Sequence, residues 1–270
     1  MSLRKKKAKK AQASFAKGVM VLLVAFILLG GLLFLNFKST KDIENTGKDF
    51  CRTDVLPEVT AILIDHTDIF SPLQRTALEK HLQETASGIR KNGMIQFYSV
   101  DSIRSSVLKP DFYLCNPGNE DDLENKVGKR LSTVKKNYED KFTHILESGL
   151  DKVLQAGTAQ ESPIMESLQS VQVTSFTGLD RKAERRRLIL VSDLLEHTNR
   201  LSFFKGVPDF NDFKASSVWQ LVKSDLHDVD VEIFFLRRES AAKLQTTKLR
   251  DFWVSFFENQ GATVTRFLPI

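Results

Sequence analysis

The sequence predicts an α/β fold: a doubly wound, mostly parallel sheet behind one membrane-spanning helix. Three observations carry this. Two uncharged runs, 59–64 (VTAILI) and 188–192 (LILVS), each end in an aspartate, Asp65 and Asp193. Strands buried on both faces read that way. Helical and strand patterns then alternate from residue 58 to residue 270, as stacked strand–helix units require. Ahead of them lies a stretch of membrane length.

That stretch is GVMVLLVAFILLGGLLFLNF, residues 18–37, with no charged side chain. About 20 residues at 1.5 Å rise span roughly 30 Å, the thickness of a bilayer core. It is longer than the apolar region of a signal peptide and lacks a small-residue cleavage pattern after it. Residues 1–17 hold Arg4, Lys5, Lys6, Lys7, Lys9, Lys10 and Lys17 and no acid. The positive-inside rule therefore places the N-terminus in the cytoplasm and the rest outside it. The expectation is a single-pass protein of a bacterial inner membrane with a periplasmic C-terminal domain. A basic run also suits nucleic acid, but here a topology signal accounts for it. The formal net charge is +5, and the first 17 residues supply +7, so the remainder is about −2. That balance argues against a nucleic-acid footprint on the folded domain.

Residues 38–57 are polar and read as a tether, and residues 58–270 as one domain. The first strand, 59–64, delivers Asp65, Thr67 and Asp68 to its C-terminal end, where open α/β sheets bind ligands. The plainer reading is that Asp65 and Asp68 are solvated loop residues. Ser71-Pro72 signals a helix start, and the helix runs over 73–91. Strands follow at 93–101 and 110–115, the second antiparallel to the first, then a turn at 116–119. A long helix covers 121–155, with a break near Asn137. Another helix opens at Ser162-Pro163, with Ser162 as N-cap and Pro163 in the first turn. Residues 174–187 are polar and basic and read as a surface connection. After the strand ending in Asp193, residues 201–213 are aromatic and irregular, 214–226 helical, 229–236 a strand, 246–260 a helix and 263–268 the last strand. The two cysteines are Cys51 and Cys115. A third strand returning antiparallel brings Cys115 to the edge where Cys51 enters, so a disulfide is expected, with two buried thiols the alternative.

At this point the residues resemble a family. Asp65-His66-Thr67-Asp68-Ile69 stands where von Willebrand factor type A domains carry Asp-x-Ser-x-Ser. Ser162-Pro163-Ile164, with Glu166-Ser167-Leu168, is similar to the Thr-Pro-Leu-x-Glu-Ala-Leu found at that family's second element. Val191-Ser192-Asp193 resembles its third. The resemblance covers about three-quarters of the chain and implies a Rossmann-like domain with a metal-ion-dependent adhesion site at the C-terminal edge of the sheet. Its implied ligands are Asp65, Thr67, Asp68, Ser162 and Asp193, holding Mg²⁺ or Mn²⁺ through oxygen. An open coordination position would accept a carboxylate from a partner protein. Ile69 replaces the second serine of the first element and cannot ligate, so Asp68 would have to substitute; without the metal, Asp65 and Asp193 would cap neighbouring helices. The expected role is protein–protein interaction within an envelope assembly, not catalysis. Asp65-His66-Thr67 also resembles the nucleophile loop of haloacid-dehalogenase-type phosphotransferases, in which Asp65 would attack phosphorus with Mg²⁺ assisting. The second acid of that loop is Thr67 here.

Overall fold

The computed structural model describes residues 20, 23–33, 49–52, 56–66, 70–100, 107–122, 129–154, 161–177 and 183–270. The chain divides into two compact units, Met1–Gly47 and Lys48–Ile270. In the first, the described residues are helical and their apolar side chains are exposed, Phe26 by 77%. Among the described residues no helix is long and apolar enough to cross a membrane. The expected basic tip and both ends of the expected span over 18–37 lie outside the described residues.

The second unit is built on six strands: β1 (Glu58–Asp65), β2 (Met94–Val100), β3 (Phe112–Cys115), β4 (Arg185–Ser192), β5 (Val229–Phe235) and β6 (Thr263–Pro269). Their order across the sheet is β3-β2-β1-β4-β5-β6. Every neighbouring pair is parallel except β2–β3. The chain moves from β1 outward to β2 and β3, then returns to β4 on the other side of β1. The switch point of the topology thus lies between β1 and β4, where such sheets open a crevice at their carboxyl ends.

Helices cover both faces: α1 (Pro72–Ser87), α2 (Lys129–Asn137), α3 (His144–Leu154), α4 (Ile164–Val171), α5 (Phe210–Ala215), α6 (Ser217–Val222) and α7 (Thr247–Glu258). Alternate residues of a strand point to opposite faces. Ile62, Ile64, Ile189 and Val191 accordingly pack against Leu78 and Leu82 of α1 and Leu146 and Leu150 of α3. Ala61, Leu63, Leu188 and Leu190 pack against Met165 and Leu168 of α4 and an aromatic group including Phe213, Trp219, Phe252 and Phe256. All eight positions of β1 are buried, which explains its unbroken apolar run.

Several expected boundaries shift. Within the long helix expected over 121–155, the described residues form a 3-10 turn at Glu120–Asp122, then α2 and α3 joined by a π-helical turn, Tyr138–Thr143, which is the irregularity expected near Asn137. Residues 174–187 are not a plain surface connection. A π-helical turn, Gln172–Thr177, extends α4 and buries Ser175 and Phe176. The strand then begins at Arg185, because β5 and the residue before it meet its arginines with acids: Arg185–Asp230 at 3.6 Å, Arg186–Asp228 at 3.2 Å and Arg187–Glu232 at 3.7 Å. The helix expected over 214–226 is two short ones, α5 and α6, parted at Ser216, whose hydroxyl caps α6 by accepting from Trp219 N–H.

The start of α1 follows its sequence signal. Ser71 is the N-cap, Pro72 opens the helix, and Ser71 and Gln74 exchange the two hydrogen bonds of a capping box. At the opposite edge of the sheet, Cys51 and Cys115 form a disulfide with Sγ–Sγ 2.08 Å, as expected. Beside it Cys115 N–H donates to Asp49 O at 3.0 Å. Residues read as tether therefore belong to the compact unit from Lys48 onward.

Candidate functional site

β1 and β4 run in register, Ile64 beside Val191. The next residues are Asp65 and Ser192, and their side chains meet: Ser192 Oγ donates to Asp65 Oδ2 at 2.8 Å. A second hydroxyl reaches the same oxygen, Ser162 Oγ at 3.0 Å. All three residues are buried, Asp65 at 1% exposure. Ser162 is positioned by a two-residue bridge, its N–H donating to His197 O at 2.8 Å and its O accepting from His197 N–H at 3.0 Å. One segment before α4 and one after β4 are thereby stitched together over the end of β1.

Ser162 is not the N-cap of α4. Pro163 holds that position and provides no side-chain cap. The first-turn N–H of Met165 is instead taken by Glu196, from the loop after β4, at 3.0 Å. The Ser162 hydroxyl is thereby left to serve Asp65.

Asp193 lies just past β4, and its Oδ1 accepts the Leu195 N–H at 2.9 Å. The carboxylate shapes its own loop, a local Asx-type turn rather than a helix cap. Between them Leu194 adopts φ 64°, left-handed for a residue with a Cβ, at a cost on the order of 1 kcal/mol. It is clamped from both sides: its N–H donates to Ser192 Oγ at 2.8 Å, and its O accepts from Trp253 Nε1 at 2.9 Å. Gln245 Nε2 holds Asp193 O at 3.1 Å. The backbone after β4 is therefore fixed by packed side chains.

Two further titratable groups border the site. Glu196 is fully buried, and burial, with Glu166 and then Asp65 nearby, pushes its carboxyl well above the usual range; the backbone N–H groups of Met165 and Ile164 oppose this. His66 is 4% exposed, and its Nε2 has no hydrogen-bond partner among the described residues. Burial holds it below the ordinary histidine value despite Asp65 and Asp111. Its ring meets Phe70 edge-on, centroids 6.1 Å apart. His197 Nδ1 lies 2.9 Å from Ser202 Oγ.

Of the residues anticipated as metal ligands, Asp65 and Ser162 come together, Asp193 Oδ1 accepts a hydrogen bond within its own loop, and Thr67 and Asp68 lie outside the described residues. Among the described residues no group of three His, Cys, Asp or Glu side chains is arranged to hold a metal ion. Ser192 is the partner of Asp65 that sequence reasoning misses, although the signal is present: it falls in phase with Leu188 and Leu190, which share a face with Ala61 and Leu63. Asp193 is out of phase with them. The phosphotransferase reading needs a carboxylate oxygen that can reach phosphorus, whereas Asp65 is buried and one of its oxygens carries two serine hydroxyls.

Among solved structures the chain is similar to an aerotolerance-related membrane protein from Bacteroides fragilis NCTC 9343, crystallised with multiple mutations to serines. Identity is 12%, coverage is 79% of this chain and 90% of that one, and the TM-score is 0.35. No family model and no curated protein matches the chain.

Proposed function

We propose that the chain is a membrane-anchored interaction module of a bacterial envelope, von Willebrand A-like in type, with its folded domain outside the cytoplasm. It acts by binding a partner protein and not by catalysis. The observation that carries the reading is the convergence of Asp65, Ser162 and Ser192 at the switch point of the sheet, the place where such folds bind ligands. The Lys-rich start and the uncharged stretch after it support the anchor. The Cys51–Cys115 bridge supports an oxidising compartment.

Mg²⁺ or Mn²⁺ is part of the proposal. Neighbouring oxygens of an octahedral shell at about 2.1 Å from the metal stand about 3 Å apart. The Ser162 and Ser192 hydroxyls lie 3.0 and 2.8 Å from Asp65 Oδ2, so each stands from that oxygen at the spacing of neighbouring positions in such a shell, once the hydroxyl protons rotate away. Thr67, Asp68 and Asp193 would complete it, directly or through water. When bound, the cation would offer an open position to a partner's carboxylate. Two hydroxyl–carboxylate hydrogen bonds must break first, so binding is weak.

Thermal melts of the full chain in detergent, with Mg²⁺, Mn²⁺ or EDTA, test this. Cation binding adds RT ln(1 + [L]/Kd) of stability and so raises the melting temperature, and Asp65→Asn removes the rise. A melt indifferent to all three additions leaves a metal-free module. An alkaline phosphatase fused after Ile270 is active in a bacterial host if the domain is periplasmic; an inactive fusion overturns the topology.

A further inference from the structure

The sheet has two edges, and the chain treats them differently. At β3 it lays its own residues alongside: Cys115 N–H donates to Asp49 O, and the Cys51–Cys115 bridge lies beside that contact. β6 is the last strand on the other side. Among the described residues, only β5 and its flanks pair through the backbone with Thr263–Pro269.

The groups that β6 leaves free follow from its register. Just past the strand, Ile270 turns both backbone groups inward: its N–H donates to Phe235 O at 2.9 Å, and its O accepts from Arg237 N–H at 3.0 Å. Inward and outward residues alternate along a parallel ladder, and from Arg266 onward the register is regular. Leu268 and Arg266 therefore also bond to β5, while Phe267 presents its N–H and O outward. Pro269 faces outward too, so its missing N–H takes nothing from the ladder, which is where an edge strand accommodates proline. The bulge comes earlier, opposite Val231 and Glu232, where the Thr265 hydroxyl donates to Val231 O at 3.2 Å.

The side chains of this edge set a preference. A row of ion pairs crosses one face of the sheet, Arg187–Glu232 and Glu232–Arg266, each at 3.7 Å. One carboxylate thus serves two guanidiniums, and the outer one, Arg266, is 50% exposed with no further strand of the chain beyond it. On the other face the Arg250 guanidinium of α7 rests 5.4 Å from the centre of the Phe267 ring. β6 contains no acid, and among the described residues the α7 acids Asp251 and Glu258 pair with neither arginine. Bulges and basic side chains keep sheet edges from pairing at random. Here they also select: the bulge leaves Phe267 open, and a strand with an acid opposite Arg266 gains a cross-strand pair that other strands lack. A second copy of β6 has no acid to offer.

We propose that the β6 edge takes up an extended segment of a partner protein as a seventh strand. The main chain of that segment pairs with the Phe267 N–H and O, an acidic side chain stands opposite Arg266, and a β-branched or aromatic residue next to it lies beside Phe267 on the other face. This rests on the reading of the chain as an interaction module and names the conformation and chemistry of its partner, at a place separate from Asp65.

The test titrates the full chain in detergent into fluorescein-labelled Thr-Val-Glu-Val-Thr and its Gln counterpart. Two further forms of the Glu peptide are N-methylated at alternate residues, so that each has one edge blocked. The Glu peptide binds about threefold more tightly than the Gln peptide, the worth of one cross-strand ion pair. Arg266→Gln levels the two, with a retained Cys51–Cys115 bridge and an unchanged melt to report that the variant folds. One N-methylated form binds as the parent peptide does and the other does not. Hydrogen exchange at the Phe267 amide slows when peptide is bound, and Asp65→Asn changes none of this. Equal binding of the Glu and Gln peptides, binding by both N-methylated forms, or no binding at all overturns the proposal, and so does unchanged exchange at Phe267. A Phe267 amide already protected in a chain that sediments as a dimer gives the edge to a second copy and overturns it too. If the cation-dependent melt holds while the peptides fail, the edge proposal falls and the module reading stands.

Discussion

Glu196 and Met165 meet across two chain segments: the buried carboxyl of Glu196 accepts the Met165 N–H at 3.0 Å and does for α4 what an N-cap side chain does elsewhere. Pro163 in the cap position cannot. The Glu166 side chain lies nearby, with Oε2 buried and without a partner among the described residues and Oε1 3.5 Å from Arg200.

Burial raises the folded-state pKa of Glu196 above its ordinary 4.5. Its contribution to stability is therefore fully present below that value and is lost as pH rises through the raised pKa. Glu196→Gln keeps an acceptor for Met165 without the charge. The variant is expected to be more stable than the parent at pH 8, by about 1–3 kcal/mol, the usual cost of a buried polar group short of partners. The gap should close toward the ordinary carboxyl value. Urea unfolding followed by the fluorescence of the buried Trp219 and Trp253 reads this.

His66 shifts in the opposite sense. Its folded pKa is depressed below 6.5, so its contribution is present above 6.5 and is lost as pH falls through the folded value. His66→Phe retains an edge contact to Phe70 and has nothing to protonate. Its unfolding profile should lose the part of the acid-side decline that begins near pH 6.5, as the same urea series shows.

Ser192 and Ser162 both serve Asp65, but they are not equivalent. Ser192 Oγ also accepts from the Leu194 N–H, and Leu194 is fully buried. Ser192→Ala strands that donor and should cost about 1–3 kcal/mol, whereas Ser162→Ala should cost about 1 kcal/mol. With Asp65→Asn as background both penalties shrink, and a double-mutant cycle measures the coupling.

Cys51 and Cys115 close a loop of sequence separation 64. The chain-entropy model gives about 4 kcal/mol for a loop of this size. The Cys51→Ser, Cys115→Ser double variant should lose stability on that order, and thiol labelling of the denatured, unreduced parent should find neither cysteine.

Where local pattern decides, the reading from sequence is close. The unbroken apolar run of β1, the Ser71-Pro72 start of α1 and the antiparallel return that brings Cys115 to Cys51 each follow from residues near one another in the chain. Where a distant partner decides, it is not. Arg185 to Arg187 look like a solvated stretch until the acids of β5 stand beside them. Ser162 looks like a cap until Glu196 arrives from beyond β4. Asp193 stands out as the charged end of a strand, while the uncharged Ser192 before it has the phase that faces Asp65.

The Cys51–Cys115 bridge also decides how the domain bears load. Tension arriving through the residues before Cys51 has two routes into the sheet: onward along the chain to β1, or across the sulfurs to the end of β3, which pairs with Met94 at the start of β2. The second route bypasses residues 52–57. A pull from the N-terminal side thus reaches the edge strand directly through the sulfurs as well as β1 through the chain.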